Sequence, residues 1–250
     1  MAISIAMIAL GSPAELSASA IQADLKATWP DASEFGPANV HEIMISFKIG
    51  NSDVVIGRMP EPVPWNDLQG ACEGSWLWPD AEEQLKGHTQ HLLITISDDN
   101  SAIDRAKLLT RVTAAIIATC SDTIGVFWCN ANMVIASKLF RQVAVAFPTP
   151  VPIWIDFMIS ENPDGTSSGY TMGLAALDLM EFETLNSYNS PGILRDRLVD
   201  FCFYLIANGP IIDDGDTIGF SEVEKVNISH TDSAFGLANK VMRLDFCVVN

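Results

Sequence analysis

The chain has 250 residues, of which 48% are hydrophobic, so it can bury one large core or two joined halves. Its 31 acidic residues outnumber 14 basic ones, which gives a formal net charge of −17 at pH 7. Nucleic acid and anionic membranes repel such a charge, so the composition excludes both as direct partners and favours a basic protein.

The cysteines and the first residues indicate a reducing compartment. The chain has five cysteines, an odd number, and no CxxC pair, so no disulfide framework is expected. The opening run MAISIAMIAL is short and has no basic residue before it, so it predicts a buried strand rather than a signal peptide. We therefore expect a cytoplasmic protein.

Strands and helices alternate over the first 150 residues. Apolar runs predict strands at 3–10, 40–47, 54–56, 91–96 and 124–128. A capping box at Ser12 predicts a helix that ends at Pro30, Ser101 opens a helix to about Cys120, and the residues 135–146 predict a third helix. The residues 58–78, rich in Pro, Gly and Trp, predict an ordered loop with little regular structure.

The pattern changes after residue 150. Strands are predicted at 152–159 and 169–173 with a hairpin turn at 162–165, and a third strand at 179–182. A strongly apolar helix follows Ser190 and ends at Gly209. The residues 225–229 and 240–248 alternate like an antiparallel pair of strands.

Together these elements predict an α+β fold with mixed sheets. We expect a βαβ-like N-terminal half and an antiparallel C-terminal half packed on helices. The residues 1–250 form a single chain, with an internal division into 1–150 and 151–250 and no flexible linker.

The most acidic stretch is GPIIDDGDTIGFSEVEK, residues 209–225. An EF-hand loop that starts at Asp214 fails, because Ile218 and Lys225 stand where calcium needs oxygen ligands. The stretch predicts either a solvated turn between a helix and a strand or an acidic docking surface for a basic partner. Its candidate partner-binding residues are Asp213, Asp214, Asp216, Glu222 and Glu224.

A second candidate is the Trp segment, residues 60–79. Tryptophan is enriched in binding hot spots, so Trp65, Asp67 and Trp76 are further candidate partner-binding residues. The alternative is structural: the rings of at least two of its three tryptophans hold the segment on the core. Asp67, Glu73 and Cys72 could also line a catalytic pocket, but no spacing of a base and a nucleophile supports it.

Two short motifs point to chemistry that their context does not support. Gly165–Gly169 matches the GxSxG pattern of hydrolases, but its flanks predict two strands instead of a strand and a helix. His88 and His91 straddle a predicted helix–strand junction, so we interpret them as surface histidines rather than metal ligands. We predict no catalytic residue, no metal and no cofactor.

Seven blocks of the sequence together carry a family resemblance: 62–81, 91–96, 126–134, 152–157, 172–183, 214–225 and 241–246. The blocks occur in order over nearly the whole chain, and the Trp-rich and GDTIG blocks are the most specific. They resemble bacterial proteins of domain of unknown function 4261. The resemblance implies a soluble bacterial α+β protein. Related domains occur near secreted toxin systems, so the resemblance also implies a cognate immunity factor.

These observations leave three functional hypotheses. The first is an acidic cytoplasmic inhibitor, an immunity protein that neutralises a cognate type VI-type secreted toxin such as a nuclease. The second is an uncharacterised enzyme that uses carboxylates near the Trp segment. The third is a scaffold whose charge serves solubility only. The sequence does not fix the oligomeric state.

Overall fold

The computed structural model describes residues 2–32, 34–219 and 225–246. The chain divides into unit 1 (Met1–Trp154) and unit 2 (Ile155–Asn250). The strands of unit 1 are β1 (Ala2–Leu10), β2 (Asn39–His41), β3 (Met44–Ile49), β4 (Ser52–Met59), β5 (Gln90–Asp98), β6 (Thr123–Trp128) and β7 (Met133–Ala136). Its helices are α1 (Ala18–Thr28), α2 (Trp65–Glu73), α3 (Ala81–Leu85), α4 (Ala102–Thr119), α5 (Ser137–Ala146) and the short α6 (Val151–Trp154).

Over its described residues, unit 1 forms one sheet in the order β2-β3-β4-β5-β1-β6-β7. Neighbouring strands pair antiparallel. Because β5 and β6 both run antiparallel to β1, they share a direction, and α4 connects them across β1. This crossover is a βαβ unit with one strand inserted, so the βαβ-like first half is confirmed.

Strand β1 is covered on both faces. Ser4 and Ile8 are buried on one face, where Arg105 of α4 donates from Nε to the Ser4 hydroxyl over 3.2 Å. Successive side chains of a strand point to opposite faces, so Met7 and Ala9 face the other way. There they pack in an apolar cluster with residues of α2 and α3. The helices α1 and α5 contact α4 on the first face.

The Trp segment supplies the second cover. Trp78 is 5% exposed and belongs to the cluster, with Leu68 and Cys72 of α2. Its ring lies directly on Gly125 of β6, where an added Cβ would stand 2.4 Å from Trp78 Cζ3. The close approach of ring and strand therefore requires glycine at position 125.

A buried ion pair joins the strands of unit 1 to α4. Arg105 Nη1 lies 3.2 Å from Asp98 Oδ1, and both side chains are nearly inaccessible. Ser52 donates to Asp98 Oδ2 over 2.6 Å, and Asn100 donates to both carboxylate oxygens. Burial by itself raises the pKa of Asp98, but the hydrogen bonds from Ser52, Arg105 and Asn100 outweigh it and hold that pKa below its usual value.

Unit 2 contains a second sheet and one long helix. Its strands are β8 (Asp156–Glu161), β9 (Ser167–Met172), β10 (Phe182–Ser187), β11 (Thr217–Ile218), β12 (Val226–Thr231) and β13 (Val241–Phe246), and its helix is α7 (Pro191–Asn208). Over the described residues the order is β11-β12-β13-β10-β9-β8. Only β10 and β13 pair parallel within that part of the chain. The α+β class is thus confirmed, with α7 in contact with β8 and β9.

Glu181 and Glu183 are two of the buried carboxylates of unit 2, and each accepts several hydrogen bonds. Glu181 accepts hydrogen bonds from the Thr171 hydroxyl and from the backbone N–H groups of Gly173 and Ala175, all at 2.7–2.8 Å. Burial outweighs these bonds and raises its pKa. The interaction holds the turn that leads from β9 toward β10.

Glu183 is paired in a different way. Its carboxylate accepts from the Ser233 hydroxyl over 2.7 Å, from the Ala234 N–H, and from Arg243 Nη2 over 2.5 Å. Burial raises the pKa of Glu183, but the bonds from Ser233, Ala234 and Arg243 prevail and lower it overall. This pair fixes the connection between β12 and β13.

The first helix begins later than the sequence predicts. Ser17, and not Ser12, is the N-cap of α1, and its hydroxyl accepts from the Ala20 N–H over 3.2 Å. Ser12 donates instead to the carboxylate of Asp122. A long-range partner has therefore replaced the capping box predicted from local sequence.

The loop predicted for 58–78 is also wrong, because the helix α2 lies inside it. Proline is tolerated before the first turn of a helix, and Pro64 is the residue immediately before α2. Leu68, Ala71 and Cys72 then recur at helical spacing on the buried side.

Three boundaries shift where apolar runs are short. Ile135 belongs to β7, so the helix predicted from there begins at Ser137. The run predicted as a strand from 152 starts with the helical α6, and the strand predicted at 179–182 lies at β10. Short apolar runs suit either conformation, and the available pairing partner decides between them.

We predict that Gly125→Ala destabilises the protein by about 1–3 kcal/mol, because the new methyl group would overlap the Trp78 ring. The matched control is Gly70→Ala on the exposed side of α2, where no atom lies within 4 Å of the added Cβ. We expect that change to stabilise by up to about 1 kcal/mol. Urea unfolding of both variants measures the difference, and equal midpoints would contradict the packing described.

We predict that Asp98→Asn destabilises unit 1 most at neutral pH, because it leaves Arg105 without its buried counter-charge. The pKa of Asp98 is lower in the folded protein than in the unfolded chain, where it is about 4. The contribution of Asp98 to the free energy of unfolding is therefore complete above the unfolded-state pKa and is lost as the pH falls through the folded-state pKa. Urea unfolding at pH 7, 4 and 3 should show the gap between wild type and variant shrinking below about pH 4. A gap independent of pH would be inconsistent with this pairing.

Candidate partner-binding site

The acidic turn of unit 2 consists of residues 213–216, between α7 and β11. Asp213, Asp214 and Asp216 are all exposed. Gly215 has φ +89°, the left-handed value that the third position of a type II turn requires. The turn follows α7 after the residues 209–212, as the sequence predicts for a solvated turn between a helix and a strand.

Hydrogen bonds fix the shape of the acidic turn. The Asp213 N–H donates to Asp216 Oδ2 over 2.8 Å, and the Asp216 N–H donates to the Asp213 carbonyl over 3.1 Å. Asp214 Oδ1 accepts from the His230 N–H over 2.7 Å, and the Gly215 N–H donates to the Ile228 carbonyl. The carboxylates are therefore displayed by a backbone anchored to β12.

Within the part of the chain that the structure describes, no basic group pairs with the charges of the acidic turn. Within residues 2–32, 34–219 and 225–246, no Lys, Arg or His nitrogen lies within 4.0 Å of a carboxylate oxygen of Asp213, Asp214 or Asp216. Because these three like charges are exposed and have no basic neighbour in that part of the chain, their negative field extends into solvent. Glu222 and Glu224, which the sequence adds to this set, lie outside the described residues.

The Trp segment lies in unit 1 and is mostly occupied by its own structure. Trp65 is half-buried against the cluster, and Lys86 Nζ lies 5.6 Å from the centre of its ring. Trp76 is half-buried, whereas Asp67 is exposed on α2. Of the three candidates in this segment, Asp67 is the most accessible to a partner.

A cavity of about 280 Å³ adjoins the Trp segment, lined by residues that include Pro62, Trp65, Lys86 and His88. Neither Asp67 nor Glu73 lines it. Burial, followed by the charges of Glu82 and Glu73, raises the pKa of the Cys72 thiol to about 11. A protonated, buried thiol is a poor nucleophile, so this geometry does not favour Cys72 as a catalytic residue.

The histidines of the HTQH motif are buried, so their interpretation as surface residues is wrong. His88 Nε2 accepts from the Val63 N–H over 2.8 Å while its Nδ1 lies against the Leu85 carbonyl. His91 Nδ1 lies 2.8 Å from the Glu61 carbonyl, and burial lowers its pKa. Both rings therefore form hydrogen bonds with the backbone of the Trp segment and hold it against the rest of unit 1. Among the described residues, no group of three or more His, Cys, Asp or Glu side chains could hold a metal ion.

The GxSxG match lies on the β8–β9 hairpin. Ser167 is fully buried at the start of β9, and Asn162 pairs with Thr166 across the turn. A nucleophile elbow needs an exposed Ser between a strand and a helix, whereas the two strands predicted around this motif are confirmed.

Comparison with known protein families matches part of the chain. Residues 170–245 match the model of a family described as "Domain of unknown function (DUF4261)". The resemblance seen in the sequence is confirmed over these residues. No curated protein and no solved structure matches the chain.

The DUF4261 segment runs from β9 to β13 and contains both α7 and the acidic turn. The sequence interpretation missed one feature of this segment, the outer face of α7, where Ile193, Phe203 and Tyr204 are exposed. The available signal was that apolar residues occur on more than one side of α7, which is typical of a helix with a partner on each face. Over the described residues, no helix has the length and apolar character to cross a membrane.

We predict that Asp214→Ala and Asp216→Ala each lower the free energy of unfolding by about 0.5–1 kcal/mol, because each carboxylate accepts a backbone hydrogen bond. Asp213→Ala is the matched control, since its carboxylate accepts no hydrogen bond within the described parts of the chain, and we expect a change below about 0.5 kcal/mol. Urea unfolding measures all three. If Asp213→Ala is the most destabilising, the hydrogen bonding of the turn is not as described.

Proposed function

We propose that the protein is an acidic cytoplasmic inhibitor that binds another protein. In this proposal it is an immunity protein, and its partner is a cognate type VI-type secreted toxin such as a nuclease. The observation that supports it is the acidic turn: Asp213, Asp214 and Asp216 are exposed, held in one conformation, and without a basic partner in the described chain.

The physical argument is electrostatic complementarity. A nuclease must attract phosphate, so its active face is positive, and a cluster of carboxylates can occupy that face in place of the nucleic acid. The net charge of −17 adds long-range attraction. Such steering raises association rates to about 10⁸–10⁹ M⁻¹s⁻¹ at low salt. A turn that is already ordered loses little conformational entropy on binding, which favours affinity.

Other candidate contacts have smaller expected roles. Glu222 and Glu224 extend the acidic run in sequence, and Asp67 is the exposed acid of the Trp segment. Trp65 and Trp76 are half-buried, so truncating them would also disturb unit 1. Since binding energy concentrates in few residues, we expect the acidic turn to dominate the association rate. No described feature favours the alternative enzyme.

The test uses the product of the gene adjacent to this one in its native genome. We predict that this product arrests growth of a heterologous host, that co-expression of the chain restores growth, and that the purified proteins bind. The variant Asp213→Asn/Asp214→Asn/Asp216→Asn should lower the association rate at low salt by about tenfold or more, since Asn keeps side-chain oxygens for the turn but removes three charges.

The matched control is Glu15→Gln/Glu34→Gln/Glu83→Gln, which removes three exposed charges from unit 1. Its association rate should stay close to that of the wild type. If both triple variants lose the same fraction of the association rate, the rate depends on net charge alone, and the specific role of the acidic turn is wrong. An association rate independent of salt, or no arrest and no binding by any adjacent gene product, would overturn the proposal.

A further inference from the structure

The outer face of α7 exposes large apolar side chains along its length. Ile193 is 52% exposed, Phe203 38% and Tyr204 47%. The positions 193, 196, 200 and 203–204 recur every three or four residues, so they share one side of the helix. Exposed aromatic side chains in a row are typical of protein interaction sites and uncommon on a surface that meets only water.

These side chains are not needed by the core of unit 2. The opposite side of α7 already supplies the buried residues, and it contacts β8 and β9. Phe201, for example, lies against Phe182 and Phe246 with ring centres 6.1 and 6.3 Å apart. The helix therefore has one apolar side for its own unit and a second that its own unit leaves exposed.

The exposed charges on the outer face are negative. Asp196 and Asp200 are exposed between the apolar positions. The helix also carries Arg195 and Arg197, but both are half-buried, and the Arg197 guanidinium lies 5.4 Å from the centre of the Phe246 ring. Ile211, 54% exposed, follows the helix and leads into the acidic turn. Apolar and acidic groups therefore alternate from α7 to the turn.

We propose that the outer face of α7 docks a basic amphipathic helix of the partner protein. The acidic–aromatic face is defined as Ile193, Asp196, Asp200, Phe203 and Tyr204. A helix that packs along it would place apolar side chains against the aromatic positions and Lys or Arg opposite the aspartates, at spacings of three or four residues. The inference rests on the proposed function, because it specifies which part of a basic partner is recognised.

Charge selects this occupant over two others. A second copy of the chain would bring the same aspartates together, and like charges oppose that contact. An anionic membrane surface would repel both the aspartates and the acidic turn. A basic helix satisfies the apolar and the acidic positions at once. The 18-residue α7 is about 27 Å long, enough for roughly five turns of contact.

The test uses a synthetic helical peptide with Leu on one side and Lys on the other, and a second peptide of the same composition in scrambled order. Fluorescence polarisation measures binding of each labelled peptide to the full chain. We expect Phe203→Gln/Tyr204→Gln to weaken binding of the helical peptide by about tenfold or more. Asp196→Asn/Asp200→Asn should weaken it and reduce its dependence on salt.

The matched control is Val145→Gln/Phe147→Gln, which removes two exposed apolar side chains of unit 1 and should leave binding unchanged. Circular dichroism confirms that each variant is folded. The inference is overturned if the Phe203/Tyr204 variant binds like the wild type, if the scrambled peptide binds equally well, or if sedimentation shows a wild-type dimer that this variant loses.

The two proposals fail in different ways. If the adjacent gene product binds the Phe203/Tyr204 variant normally but loses binding to the variant of the acidic turn, the immunity function stands and the docking of a helix on α7 is wrong. If the helical peptide binds as expected and no adjacent gene product does, the docking face stands and the toxin partner is wrong.

Discussion

Burial of β1 on both faces is the constraint on which unit 1 depends. One face meets α4, and Arg105 of that helix reaches Ser4 and Asp98. The other face meets the Trp segment, whose Trp78 ring requires glycine at position 125. A central strand with apolar residues on both sides needs a cover on each face, because an uncovered apolar face would be exposed to water. Packing in unit 1 thus accounts for Trp78 and for the buried part of Trp65.

Carboxylates have two separate roles in unit 2. Glu181 and Glu183 are buried and saturated with hydrogen bonds, so they hold turns and loops in place. The acidic turn has the opposite environment: its backbone is anchored, while its charges face water. Unpaired charge costs little in water and much in the interior, so charge available for a partner must be displayed on the surface. The distinction separates the acids that stabilise the fold of unit 2 from the acids of the turn, which face water.

In the proposed function, the outer face of α7 and the acidic turn would combine two kinds of recognition in one continuous stretch. Charge acts at long range and sets the rate of encounter, whereas exposed aromatic groups act only in contact and set the lifetime of a complex. The stretch also lies within the segment that matches DUF4261. An inhibitor needs both properties, because it must reach its target quickly and then remain bound.

The sequence by itself determined the class of fold, most strands, the caps of α4, the end of α7 and the exposed acidic turn. These follow from local causes: apolar periodicity, Ser at an N-cap, and Gly with Asp in a turn. Only the tertiary structure decided that Ser12 bonds Asp122 instead of capping a helix, and that His88 is buried. It also decided that α7 has an exposed aromatic side. Each of these depends on which distant atoms are adjacent, and a one-dimensional pattern carries no information about that.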